Sequence, residues 1–217
     1  MSKRELSKRY LLFILGLLFS GIGVAITKRG ELGVSPISSV ANVLSYKLQG
    51  FSLGTWLLIW NCVLLLGQII VLRRQFQLIQ LLQIPLSVLF GLFTDLGLWL
   101  ASYIPNTHYV TRLFLVIVGI VILAFGVTLT IIANVVMNSG EAFVKAVSDQ
   151  TGKTFGNVKI AFDVSCVALA IVLSLLFFDF KVIGTREGTI LAAFLTGTMV
   201  KWYQKRLEGP VNRMLGE

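Results

Sequence analysis

The sequence predicts an all-α polytopic membrane protein: six transmembrane helices forming two inverted three-helix repeats, with two short loop helices. Three observations predict it. Of 217 residues, 56% are hydrophobic and only 13% charged, whereas a soluble domain carries about 25% charged residues. Apolar runs near the ~20 residues that cross a bilayer recur along the whole chain. The two halves also echo each other. Residues 16–27 read GLLFSGIGVAIT and residues 119–130 read GIVILAFGVTLT, so Gly16/Gly119, Gly23/Gly126, Val24/Val127 and Thr27/Thr130 pair at an offset of 103. Downstream, Gly50, Gly54 and Asn61 fall opposite Gly152, Gly156 and Asp163 at an offset of 102, one residue having been lost between. Three spans per half is an odd number, which turns the second half upside down, an architecture used by membrane transporters.

The first span is expected over 10–27, free of charge, after the basic start Lys3, Arg4, Lys8 and Arg9. It is longer than a signal-peptide core, no small-x-small site follows it, and its Gly23-Val24 recurs in the fourth span, so it is read as a mature helix. The second lies within 51–72 and stops at Arg73-Arg74; the third runs from about 78 to 103 with Asp95 inside it. The fourth covers 109–137, from near Arg112 to past Asn134. The fifth covers 158–178 with Lys159 and Asp163 in its first turns, and the sixth 182–200, weakest at Arg186-Glu187. The whole chain, 1–217, is one transmembrane domain, with repeat 1 over about 10–103 and repeat 2 over about 109–200.

Orientation follows from the cations. With both termini inside, thirteen Lys and Arg fall on cytoplasmic segments and six on outer ones, as the positive-inside rule requires. A bacterial inner (plasma) membrane, crossed several times with both termini cytoplasmic, is the expected location. The net charge of +9 sits in the gaps between apolar runs, which argues for the lipid bilayer as partner and against nucleic acid.

Two long connections occupy equivalent places, 28–50 and 138–157. In the first, Ser35 is a candidate N-cap, Pro36 suits the first helical turn, and Ile37, Val40, Ala41 and Leu44 share a face. In the second, Ser139 is the candidate cap and Ala142, Phe143, Ala146 and Val147 form the face. Each short helix is expected to end near glycine, at Gly50 and Gly152. Such segments either lie on the surface or dip in from opposite sides. Paired interruptions at matching places in two halves point to a binding site, which makes Ser35, Pro36, Ser38, Asn42, Asn138 and Glu141 candidate substrate-binding residues.

Charges within spans add Asp95 and Asp163, since a charge at the bilayer centre costs about 2.5–3.5 kcal/mol. They suit a cation, proton or amine site, or else carboxylates paired near the interface; Lys159 stands four residues before Asp163. Asn61, at the repeat position of Asp163, and Trp56 and Trp60, one turn apart, complete the candidate set: a polar cavity lining and a ring platform, or interhelical hydrogen bonds and an aromatic belt. Gly16, Gly23, Gly91, Gly119, Gly126 and Gly197 suit close helix approach. Cys62 and Cys166 lie in apolar runs, His108 is the single histidine, and there is no nucleophile–base pair, phosphate loop or metal cluster. The chain is therefore read as a non-enzyme with no cofactor and no metal.

GELGVSPISS after the first span, QIPLSVLFGLFTDLG in the third, TGKTFGNVKIAFD in the second connection and VIGTREGTILAAFLTGTMV at the last span together resemble the YczE/YitT-like bacterial integral membrane proteins, in the same order and over nearly the whole chain. The resemblance implies a multi-span inner-membrane protein of poorly defined biochemical role. The last segment departs from the family pattern: Thr198 and Met199 follow Gly197 where a Gly-Pro pair is common. Size and layout also look like the substrate-binding subunits of energy-coupling-factor vitamin importers, an analogy that adds a membrane scaffold with ATPase subunits as a candidate partner. Two functions compete: binding and transport of a small solute, including vitamin uptake, and a non-transport assembly factor or regulator acting through a protein partner.

Overall fold

The computed structural model describes residues 3–215, and every regular element among them is helical. In chain order they are α1 (Lys3–Arg29), α2 (Pro36–Lys47), α3 (Leu53–Leu72), α4 (Gln83–Ala101), α5 (Tyr109–Ala133), α6 (Ser139–Thr151), α7 (Phe155–Phe177) and α8 (Glu187–Leu215), with short 3₁₀ turns at Arg73–Gln75 and Leu78–Leu82. The side chains of Lys3 and Arg4, two of the N-terminal cations, lie outside the described residues.

Five helical stretches are long and apolar enough to cross a bilayer: Glu5–Arg29, Leu53–Gln75, Leu78–Ala101, Tyr109–Ala133 and Phe155–Phe177. They mark a multi-pass membrane protein. The expected sixth span is not among them. Residues 182–186 are not helical, and α8 begins only at Glu187. Its apolar part ends before Lys201, leaving about 13 residues or ~20 Å of helix, against a hydrocarbon core of ~30 Å.

The centre is an antiparallel pair, α1 and α5, whose apolar windows are 56% and 61% buried, whereas that of α7 is 17% buried. Glycine makes the close approach possible. A Cβ on Gly16 would stand 2.8 Å from the Gly126 carbonyl oxygen, and one on Gly23 2.8 Å from that of Gly119. Two threonine hydroxyls in these helices bond back to their own turn: Thr27 to the Val24 carbonyl and Thr130 to the Val127 carbonyl, each at 2.7 Å. Helix α4 packs on α1 and α8 on α5. Gly54 and Gly91 bring α3 and α4 together, but α7 has no comparable packing against α8.

Helix α2 lies inside the bundle, whereas α6 buries one face and leaves Lys145, Asp149 and Gln150 exposed on the other. Each packs between α3 and α7, and Pro36, Ser38, Ser39, Val40, Ala41, Asn42 and Val43 of α2 are all buried. Their local chemistry differs from expectation at three ends. Ser35 stands at the cap of α2, but its hydroxyl bonds Ser38 Oγ at 3.0 Å rather than a backbone N–H. The cap of α6 is Asn138, whose Oδ1 accepts the Ser139 N–H at 2.9 Å. Gly152 ends α6 in the left-handed region, φ 67°, but α2 ends at Leu48, before Gly50. A short apolar stretch does not disclose which of several polar neighbours wins the cap; the incoming chain direction decides it.

Candidate functional site

The first turns of α2 and α6 meet. A Cβ on Gly140 would lie 2.9 Å from Ile37 Cδ1, so the two short helices approach through their N-terminal ends. From this junction they run apart along α7. Ser39 Oγ lies 3.4 Å from the Cys166 carbonyl oxygen, midway along α7, and Lys47 Nζ donates to the Phe177 carbonyl at its end. Helix α6 runs the other way, and at its far end Gln150 bonds Gln75, just past the end of α3, at 2.8 Å.

Around the junction the polar groups are numerous and buried. Ser38, Ser39, Asn61, Gln68, Gln83 and Ser139 are each less than one-tenth exposed. Gln68 and Gln83 form a reciprocal amide pair at 3.0 and 3.1 Å, and Gln68 Nε2 also donates to the Ser139 carbonyl at 3.2 Å. This joins α3, α4 and the start of α6. Asn61, on α3, has no hydrogen bond to its side chain among the described residues. Beside the junction a small void of about 10 Å³ touches Phe13, Leu17, Gln83, Ser87, Asn138 and Ser139, room for about one water.

On α7, Lys159 Nζ reaches both oxygens of Asp163, at 2.6 and 2.7 Å. Glu141, in the first turn of α6 and outside the five spans, lies within electrostatic reach of both. Burial pushes its carboxyl above the ordinary carboxylate range; Lys159 opposes that shift and Asp163 adds to it. A groove of about 480 Å³ opens between α6 and α7, lined by Val147, Thr151, Lys153, Asn157, Val158 and Ala161.

The structure thus brings Ser35, Pro36, Ser38, Asn138, Glu141 and Asp163 into one neighbourhood, with Asn61 and Trp60 on the adjoining α3. Trp60 packs against Val40, Val43 and Ala170, an apolar setting. Three candidates go elsewhere. Asp95 accepts from Ser52 Oγ at 2.5 Å and from the Gly54 N–H at 2.8 Å, so it caps the start of α3. Trp56 sits at the same end, edge-on to Phe51. Asn42 donates to the Gly184 carbonyl at 2.8 Å, and its Oδ1 is buried without a partner.

That last contact belongs to a second meeting point. Gly188 N–H donates to the Leu32 carbonyl at 2.7 Å, and a Cβ on Gly33 would press on the Thr189 side chain. The GELGVSPISS and VIGTREGT segments, some 150 residues apart in the chain, are therefore packed together. Nothing in either segment's spacing signals this pairing. No group of three His, Cys, Asp or Glu able to hold a metal occurs among the described residues.

Comparison with curated proteins and with solved structures gives no match. Residues 7–205 match the family described as a family of unknown function, DUF6198, and the chain belongs to that family.

Proposed function

We propose that this protein carries a small polar solute across the membrane, with six crossings, two inverted repeats and both termini in the cytoplasm. The observation that carries the reading is the end-to-end meeting of α2 and α6, where Ile37 abuts Gly140. Each helix N-terminus holds roughly half a positive charge, and two of them converge beside the hydroxyls of Ser35, Ser38, Ser39 and Ser139. Such a junction favours a solute rich in hydrogen-bond acceptors, an anion above all. Broken elements whose half-helix ends face a midplane site are the form this takes in transporters.

The glycine contacts support the inversion. Adding the repeat offset of 103 to Gly16 and Gly23 gives Gly119 and Gly126, and the contacts are Gly16 with Gly126 and Gly23 with Gly119. Each contact maps onto the other, as a twofold axis between antiparallel helices requires. Packing of α2 on α7 and of α6 on α3 repeats the pattern. On this reading α8 supplies the sixth crossing, its short apolar part shielded on one side by α5. The likeness to YczE/YitT-like proteins is part of the same proposal.

The test is uptake of labelled small carboxylates, phosphate esters, amines and B vitamins by cells with and without the protein, alongside melting shifts of the purified chain. At least one compound is expected both to accumulate and to raise the melting temperature, and Gly140→Leu, which fills the junction, is expected to stop uptake. A panel with neither uptake nor melting shift overturns the reading. One observation favours a second reading, an assembly factor or regulator bound to a protein partner: the void at the junction is only about 10 Å³, far below the 300–1,000 Å³ of a ligand pocket. Co-purification of a fixed partner with no solute binding would establish it. A vitamin importer's binding subunit, with its scaffold and ATPases, is the version of transport that would need a larger cavity than this closed form has.

A further inference from the structure

We propose that the exposed face of α8 binds an anionic phospholipid, with Lys201, Lys205 and Arg206 on its phosphate and Phe194 against its acyl chain. The site depends on α5 lying in the bilayer, and not on whether the protein carries a solute.

Helix α8 runs alongside α5 in the same direction. Its first turn lies by the start of α5: the Gly188 N–H bonds the Leu32 carbonyl, and Gly30 abuts the first turn of α5 at Arg112. Ala192 packs with Val116 and Ile120, and Tyr203 stands edge-on to Phe125 with ring centroids 5.5 Å apart. Leu207 and Val211 reach the core cluster that holds Ile132 and Ala133, at the end of α5. Phe125 and Tyr203 each come sixteen residues after the first residue of their helix, so the two helices keep step.

That register fixes the depth of the basic residues. Lys201 is level with Leu123, and Lys205 and Arg206 with Val127 and Thr128. These positions lie ten, six and five residues before the end of α5, or about 15, 9 and 8 Å. Helix α5 has no charge after Arg112 and, at 25 residues, is about 37 Å long, of which ~30 Å fits the hydrocarbon core. With that core centred on α5, the backbone of all three cations is inside it, and charges at such depth need a counter-charge or a route to the headgroups. Three cations at other span ends find partners in the protein: Lys28 donates to Ser45 at 2.7 Å, Arg29 to the Ile104 carbonyl at 2.9 Å and Lys159 to Asp163 at 2.6 Å. Among the described residues, Lys201, Lys205 and Arg206 have no hydrogen bond and no ion pair, and Glu208, the nearest acid in the chain, joins none of them. Arg206 instead stacks on Trp202, 4.5 Å from the ring centroid, which keeps its guanidinium on the open face.

The same face is apolar one leaflet away. Phe194 is 74% exposed and Trp202 49%, and α7, which precedes α8 in the chain, packs on α2 and α6 instead. From Lys205 back to Phe194 is eleven residues, about 16 Å of helix, against ~15 Å for half of the hydrocarbon core. The strip therefore matches one lipid molecule: phosphate at the cations, the Trp202 ring at the interface, a chain over Phe194. Three cations against one phosphate favour a headgroup with net negative charge over one that carries its own amine. A soluble phosphate would satisfy the cations and leave the apolar half of the strip bare.

The experiment follows quenching of Trp202 by brominated lipids, in the full chain reconstituted in phosphatidylcholine vesicles with Trp56, Trp60 and Trp99 changed to Phe. If those changes unfold the protein, the Trp202 share is the difference between the native chain and Trp202→Phe. Brominated phosphatidylglycerol is expected to quench at a mole fraction at least about fivefold lower than brominated phosphatidylcholine, the worth of one cation at an anionic surface. Lys205→Gln and Arg206→Gln should each narrow that ratio, and the triple change of Lys201, Lys205 and Arg206 to Gln should bring it to one. Changing Arg73 and Arg74 to Gln, exposed cations at the end of α3, should leave it as it is. Equal quenching by the two lipids in the unsubstituted basic face, a ratio that survives the triple change, or an equal loss on changing Arg73 and Arg74 overturns the proposal. Glycerol phosphate added at constant ionic strength should not relieve the quenching; relief would assign the cations to a soluble phosphate and overturn the lipid.

Discussion

Asp95 illustrates how a residue that looks costly in a membrane span is held by its surroundings. Read alone, it is a carboxylate in an apolar helix. In the fold it receives the Ser52 hydroxyl and the Gly54 N–H, donors at the start of α3 that the helix cannot satisfy itself. Asp95→Ala should therefore lower the melting temperature of the purified protein, by an amount equivalent to about 1–3 kcal/mol for a charge-assisted contact. Asp95→Asn keeps an acceptor oxygen and should lose less. Equal melting of all three proteins would remove the capping role. The Lys159–Asp163 pair is the opposite case: a spacing of four on one helix suffices to anticipate it, and the side chains meet at 2.6 Å. Local spacing discloses local partners. Asp95 and its donors lie some 40 residues apart, and only the packing of α4 on α3 joins them.

At the scale of the element, the spans were legible because run length and hydropathy are themselves the physical requirement for crossing a bilayer. The short helices were legible as helices, from their amphipathic faces and Pro36, but the burial of α2 was not, because it depends on α3 and α7 closing over it. The glycines divide by the same logic. Gly23 lies where a Cβ would meet the backbone of Leu123 and Gly119, whereas a Cβ on Gly197 in α8 meets nothing within 4 Å. Close approach was expected of both, and α8 departs because its Gly197 side faces away from its neighbours. Gly23→Ala should thus destabilise the α1–α5 crossing by about 1–3 kcal/mol through overpacking. Gly197→Ala should be neutral or stabilise by up to about 1 kcal/mol, from helix propensity alone. Thermal melts of the two variants in one detergent decide it; a loss at Gly197 equal to that at Gly23 contradicts the assignment.

For the whole molecule, the proposed function depends on the two halves facing opposite ways. The first turns of α2 and α6 meet in the interior, so Ser35 and Ser139 report no side. Their far ends do. The end of α2 lies against the end of α7, where Lys47 bonds the Phe177 carbonyl; α6 leads directly into the start of α7 through Gly152. Helix α7, at 23 residues, is about 34 Å long, so the two ends are a bilayer apart. Cysteines placed at Gln49 and Lys153, in a chain whose Cys62 and Cys166 are changed to Ala, should therefore differ in reactivity. An impermeant maleimide added outside intact cells is expected to label Gln49→Cys and to label Lys153→Cys only after the membrane is opened. Labelling of both from one side would put α2 and α6 in the same leaflet. The twofold relation drawn from Gly16, Gly23, Gly119 and Gly126 would then be a packing coincidence, and a solute path through the α2–α6 junction would lose its two-sided access.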